Sequence, residues 1–351
     1  MYQLNDKIKN LVPYEPISGI YEVRLDANEC PVNFPEDIRA QLQKKLDEIA
    51  FNRYPDPMAQ GVVNSFAEYY GVKPELVTAG NGSDELIFLI ESAFLKKGDK
   101  MLVASPDFSM YNFYSSICEV ECETFFKDEN LDLDVDALIE KINEDKIDMV
   151  IFSNPCNPTG RGITKENARR LVTSVDALVI LDEAYMDFWD ESLLDEVEQH
   201  SNLIIFRTAS KLVGAAALRL GFAVANPVIS TAIKAVKSPY NVNSVSQALG
   251  EVIFHQKEYL QKRQKTIVKQ REMLYNGLVK IFAGRQNMTV YSSVANFVFV
   301  KTDCSKQIWE FLKDKSIVVR LMGDFLRITA GTEEEVEKVL AALNEYFEVN
   351  V

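Results

Sequence analysis

The chain has 351 residues, 47% of them hydrophobic, which is ample for a large core in one or two globular domains. With 38 basic against 52 acidic residues its net charge is -14, which speaks against nucleic acid or an anionic membrane as partner, since both select basic surfaces. A small anionic substrate stays open, because the potential of a site is set by the groups nearest to it.

The first residues, MYQLNDKIKN, carry charges where a secretion signal would need an apolar core, and no apolar run approaches membrane-spanning length. A cytoplasmic protein is expected. At TAGNGSDELIFLIESAF (78–94) a strand end meets a Gly-x-Gly turn, and a helix starts at Ser83 or Asp84. Its free amides and dipole make an anion seat, although a capped helix start with acids in its first turn reads the same way. Between about residues 60 and 240, short apolar runs alternate with helical patterns: KMLVASP (100–106), MVIFSNP (149–155), ALVILDEAY (177–185), LIIFRTAS (203–210) and GFAVANP (221–227). Runs apolar on both faces predict a mostly parallel sheet flanked by helices, an α/β fold. In such sheets ligands gather at the carboxyl ends of the strands, where four of these runs end in polar clusters.

After residue 240 the texture changes. A charged helical stretch (about 244–282) leads to VYSSVANFVFVK (290–301) and then SIVVRLMGDFLRITAGT (316–332), which predicts two strands around a turn at Gly323. Thr332 and Glu335 form a capping box for a last helix to about Phe347. This predicts a smaller α+β domain over 246–351, a large domain over 41–245, and an N-terminal segment, 1–40, that joins the small domain and a dimer interface. Of the five cysteines, Cys118 and Cys122 come nearest to pairing, yet with no other ligand close by they read as buried free thiols, and no metal site is expected. His200 and His255 sit in polar, helix-like sequence, so an acid–base group here should be something other than histidine.

Lys211 and Arg219 stand in the most core-like part of the chain, LIIFRTASKLVGAAALRLGF (203–222), where an unpartnered ammonium is costly. With Thr208 and Ser210, Arg219 could complete a phosphate cup; it could equally make a structural ion pair. Asp182 ends a wholly apolar strand, and its carboxylate needs a cation. A lysine amine, a phosphate cup and a buried carboxylate are the three things pyridoxal phosphate requires, and a Lys211–Asp182 salt bridge is the competing reading.

The ordered set of motifs resembles the fold-type I pyridoxal-phosphate aminotransferases, and within them the histidinol-phosphate aminotransferase family. It comprises VPYEP (12–16), LDANECP (25–31), NRYPDP (52–57), GNGSDE (80–85), PDFSMY (106–111), NPCNPTG (154–160), LDEAYMDF (181–188), RTASK (207–211) with Arg219, ANF (295–297), and VVR with LRITAGT (318–332). The match spans nearly the whole chain. The resemblance implies pyridoxal 5'-phosphate as cofactor, with Lys211 as the Schiff-base lysine and proton carrier and Asp182 against the pyridine nitrogen. It implies that Asn157 and Tyr185 bond the phenolate oxygen and that Phe108 stacks on the ring. Ser83, Asp84, Thr208, Ser210 and Arg219 would seat the phosphate, with Tyr54 reaching that of a neighbouring subunit, hence a homodimer with shared active sites. Arg327 would hold a substrate carboxylate, with Arg320 and Tyr14 helping to bind its other anionic end. Asn28 and Glu29 stand either as substrate contacts or as turn caps.

The implied reaction takes histidinol phosphate and 2-oxoglutarate to imidazole acetol phosphate and glutamate. Threonine-O-3-phosphate decarboxylase and aromatic or other amino-acid aminotransferases share the architecture. A silent cofactor-binding protein is disfavoured by Lys211, and a dehydrogenase by the lack of a G-x-G-x-x-G after a strand. Cys30 and Cys156 stand where the family carries asparagine, the loop after Lys211 (LVGAAALR) is poorer in glycine, and the hairpin between Arg320 and Arg327 is short.

Overall fold

The computed structural model describes residues 2–13 and 15–349; Tyr14, a predicted substrate contact, lies outside them. The strands are β1 (Val23–Leu25), β2 (Val77–Gly80), β3 (Lys100–Ser105), β4 (Glu121–Phe126), β5 (Met149–Ser153), β6 (Leu178–Asp182), β7 (Leu203–Thr208), β8 (Gly221–Ala225), β9 (Met288–Tyr291), β10 (Phe297–Thr302), β11 (Ile317–Met322) and β12 (Phe325–Thr329). They form a seven-stranded sheet in the order β2-β8-β7-β6-β5-β3-β4 and a five-stranded sheet in the order β1-β11-β12-β10-β9.

In the large sheet β7, β6, β5, β3 and β4 are parallel, while β8 runs antiparallel to both β7 and β2. β5, β7 and β8 are buried at every position, as strands covered by helices on both faces must be. One apolar cluster fills each side of the sheet, around Phe66, Leu102, Phe152 and Phe222 on one face and Ile87, Ile151, Ile204 and Phe206 on the other. Capping residues start several covering helices: Asp134 accepts from the Asp136 and Ala137 amides, Thr164 from Asn167, and Asn226 from Val228 and Ile229.

The smaller sheet has its own core, with Val298, Val319, Leu326, Ile328 and Leu343. Here β1 pairs parallel with β11, so the N-terminal segment supplies its edge strand. The predicted hairpin forms around Gly323, whose φ of +61° suits glycine. The predicted capping box closes as well: the Thr332 amide donates to Glu335 Oε2 at 2.7 Å and the Glu335 amide to Thr332 Oγ1 at 3.2 Å.

Two expectations need correction. The helical stretch 244–282 is two helices, Ser244–Phe254 and Lys257–Phe282, broken at His255 and Gln256. Cys118 and Cys122 are half-buried rather than buried, and all five cysteines are free thiols. Among the described residues no helix is long and apolar enough to cross a membrane, and no cluster of ligand-type side chains could hold a metal ion.

Candidate active site

Because β3, β5, β6 and β7 are parallel, their carboxyl ends open on one edge of the large sheet. β2 shares their direction and β8 opposes it, so Gly80 ends at that edge and Gly221 begins there. The polar clusters at Asp107, Ser153–Asn157, Asp182–Tyr185 and Thr208–Lys211 therefore meet the turn Gly80–Asp84 and Arg219. Asp107 stitches two of them, accepting from the Ser153 hydroxyl and amide.

Asp182 is 4% exposed and accepts from the Tyr111 hydroxyl at 2.8 Å and the Ala184 amide at 3.1 Å. Burial pushes its carboxyl up to about 6, and those two hydrogen bonds only partly offset the loss of water. No cation pairs with it among the described residues. The competing reading, a Lys211–Asp182 salt bridge, is thus not formed. Lys211 instead donates from Nζ to the Ala27 carbonyl at 3.3 Å and lies 5.5 Å from the centre of the Tyr185 ring. Tyr185 is buried, and its hydroxyl accepts from Asn28 Nδ2 at 2.9 Å, which leaves its own proton to donate.

Asn28, 1% exposed, holds a left-handed backbone with φ of +54° that asparagine tolerates better than most residues. Thr329 and Asn296 fix it: its amide donates to Thr329 Oγ1 at 3.1 Å, and Asn296 Nδ2 donates to its carbonyl at 3.2 Å. The neighbouring Asp26 carbonyl accepts from Arg327 Nη2 at 2.6 Å. Three consecutive residues, 26 to 28, thereby touch Arg327, Lys211 and Tyr185 in turn. Arg327 is 8% exposed on β12, and its Nη1 donates to Asn157 Oδ1 at 2.5 Å. Arg320 faces it in register across the β11–β12 pair.

The third part is the turn before the helix Ser83–Phe94, whose first-turn amides have no helical acceptor. Thr208 Oγ1 bonds Ser210 Oγ at 3.0 Å, and Arg219 Nη2 stands 3.1 Å from Asp84 Oδ2 at the mouth of the turn. Arg219 thus makes an ion pair, and it does so beside the glycine-lined turn. Glycine permits the close approach here. A Cβ on Gly82, at φ +85°, would meet Arg219 Nη2 at 2.8 Å, and one on Gly221 would meet the Ser83 amide nitrogen at 2.3 Å. Phe108 packs at the same edge, edge-to-face with Tyr111 at 5.6 Å. Tyr54 is 82% exposed and stacks on Tyr240 at 4.7 Å.

A profile of the aminotransferase class I and II family matches residues 21–343. The chain belongs to this family. It is 40% identical over 333 residues to a histidinol-phosphate aminotransferase of Clostridium novyi (strain NT), covering 93% of this chain and 92% of that one. It is 37% identical to the corresponding protein of Clostridium kluyveri, covering 96% of each. Among solved structures it resembles the histidinol-phosphate aminotransferase of Clostridium acetobutylicum, with a TM-score of 0.84, 26% identity, and 94% of this chain and all (100%) of that one covered. The enzyme from Sinorhizobium meliloti in complex with pyridoxal-5'-phosphate gives a TM-score of 0.89 at 19% identity, covering 100% and 99% of the two chains, which bears on fold alone.

As an aminotransferase the protein moves an amino group from an amino donor to a 2-oxo acid, and pyridoxal 5'-phosphate is its cofactor. The residues present fit that group. A buried carboxyl without a cation suits a protonated ring nitrogen, and a glycine-lined turn beside an arginine suits a phosphate. Sequence reasoning missed Tyr111, which holds Asp182, and Thr329 and Asn296, which hold Asn28. Tyr111 falls inside the PDFSMY motif but carries no polar pattern of its own. The other two lie far along the chain, where only the fold reveals the contact.

Proposed function

We propose that this aminotransferase converts histidinol phosphate and 2-oxoglutarate to imidazole acetol phosphate and glutamate. The observation that carries this reading is the full-length similarity to histidinol-phosphate aminotransferases at up to 40% identity. The paired arginines support it, since a substrate with one phosphate and a substrate with two carboxylates both need two cationic anchors.

In this reading Lys211 holds the cofactor and, once released, carries the proton at the substrate Cα, which is how an enzyme without a site histidine moves protons. Bound there, pyridoxal 5'-phosphate supplies an aldehyde for the amino group and a ring that accepts the electron pair left at Cα. Asp182 would keep the ring nitrogen charged, with Tyr111 fixing the carboxylate. Tyr185 and Asn157 would bond the phenolate oxygen, and Phe108 would cover the ring. The Ser83 and Asp84 amides, Thr208, Ser210 and Arg219 would hold the phosphate. Arg327 takes the carboxylate, and Arg320, Tyr14 and Asn28 serve the rest of the substrate. The division into residues 1–40, 41–245 and 246–351 belongs to the same reading. So do a homodimer, in which exposed Tyr54 reaches the partner's phosphate, and a cytoplasmic setting, which suits five unpaired thiols.

A panel of amino donors tests the reading, each scored by conversion of the aldehyde cofactor to its amine form. Histidinol phosphate and glutamate should both convert it. Carbon dioxide release from phosphothreonine, with no response to histidinol phosphate, would select the decarboxylase instead.

A further inference from the structure

Lys127 and Cys156 are buried side chains, an amine against a thiol, that the proposed transamination leaves unused. Lys127 follows β4 with its side chain 3% exposed, and Cys156, in the turn after β5, is 3% exposed. Lys127 Nζ lies 2.8 Å from Cys156 Sγ, 2.8 Å from the Pro106 carbonyl and 3.3 Å from Asp107 Oδ2. Sulfur is larger than oxygen, so a separation ordinary for a nitrogen–oxygen hydrogen bond is a close approach here. Beside the pair lies a cavity of about 10 Å³, bounded by Lys127, Phe152, Ser153, Cys156 and Gly162. That is room for one water-sized molecule.

We propose that Lys127 and Cys156 form a covalent oxidation site, at which peroxide joins the two side chains through a single oxygen atom. The cysteine sulfur attacks one peroxide oxygen; an S–O bond forms, the O–O bond breaks, and water leaves a sulfenic acid. Lys127 gives a proton to Asp107, and a second peroxide oxidises the freed amine to a hydroxylamine, forming N–O, breaking O–O and releasing another water. The hydroxylamine oxygen then attacks the sulfenic sulfur and expels the sulfenic oxygen as a third water. Thiol, amine and two peroxides become one S–O–N bridge and three waters, with sulfur and nitrogen each losing two electrons. The bridge would fasten the end of β4 to the turn that carries Asn157.

The test is peptide mapping of the holoenzyme after titration with hydrogen peroxide, alkylation and trypsin digestion. The expected product is a linked pair of peptides, heavier than their sum by one oxygen less two hydrogens, with cleavage after Lys127 lost. Dithiothreitol should release it, and Cys156→Ser should not form it. Should Cys156 be recovered as free thiol or sulfinic acid while cleavage after Lys127 stays intact, the site does not exist. That result on the unmodified sequence is decisive even if the variant folds poorly.

Discussion

Asp182 shows how one residue couples stability to chemistry. Burial lifts its carboxyl from an ordinary 3.8 to about 6, so the folded chain holds that proton more tightly than the unfolded one. Cofactor-free protein should therefore be most stable below pH 3.8 as far as this group is concerned, and lose about 3 kcal/mol as pH rises through about 6. Asp182→Asn should abolish that slope in thermal melts while leaving the Tyr111 contact, and should cripple transamination. Arg327 offers a second expectation. Arg327→Ala should raise the KM for glutamate by about 10- to 100-fold, the worth of lost charged hydrogen bonds, and shift cofactor affinity far less. Equal loss of both in a spectral titration would show that the arginine serves the cofactor instead. Lys211, Asp182 and Arg219 were legible in the sequence because charge stands out in apolar surroundings. Tyr111 was not, because a tyrosine near a helix start looks like core.

At the scale of elements, the turn proposed to seat the phosphate depends on backbone reaching backbone. Gly221 opens β8 against the turn before the helix Ser83–Phe94, and a Cβ there would sit 2.3 Å from the Ser83 amide nitrogen. Gly221→Ala should cost about 1–3 kcal/mol through forced displacement and weaken the cofactor along with the fold. Unchanged melting and unchanged cofactor titration would show that the turn moves freely. The strands beneath the seat were readable as apolar runs. β4, ECETFF, was not, because its positions are half-buried or exposed at the sheet edge and its apolar pattern is weak. The break at His255 and Gln256 was hidden for a related reason: no proline or glycine marks it, and the next helix simply starts again at Lys257.

At the scale of the molecule, a chain of charge -14 concentrates arginine and lysine where two sheets meet. The large sheet brings Lys211 and Asp182, the small one Arg320 and Arg327, and residues 26–28 join them. That junction follows from β1 pairing with β11, a parallel contact across almost the full length of the chain that periodicity does not reveal. Tyr54 and Tyr240 line an open cleft with Phe51, Pro55 and Pro239, an aromatic surface suited to a second copy. Light scattering should give twice the monomer mass, and a monomer with full activity would contradict shared sites. The central claim, that Lys211 bonds the cofactor, is tested most directly by borohydride reduction of the holoenzyme followed by peptide mapping. The account predicts a pyridoxyl group on Lys211 and none in Lys211→Ala; the group on another lysine, or on none, would contradict it.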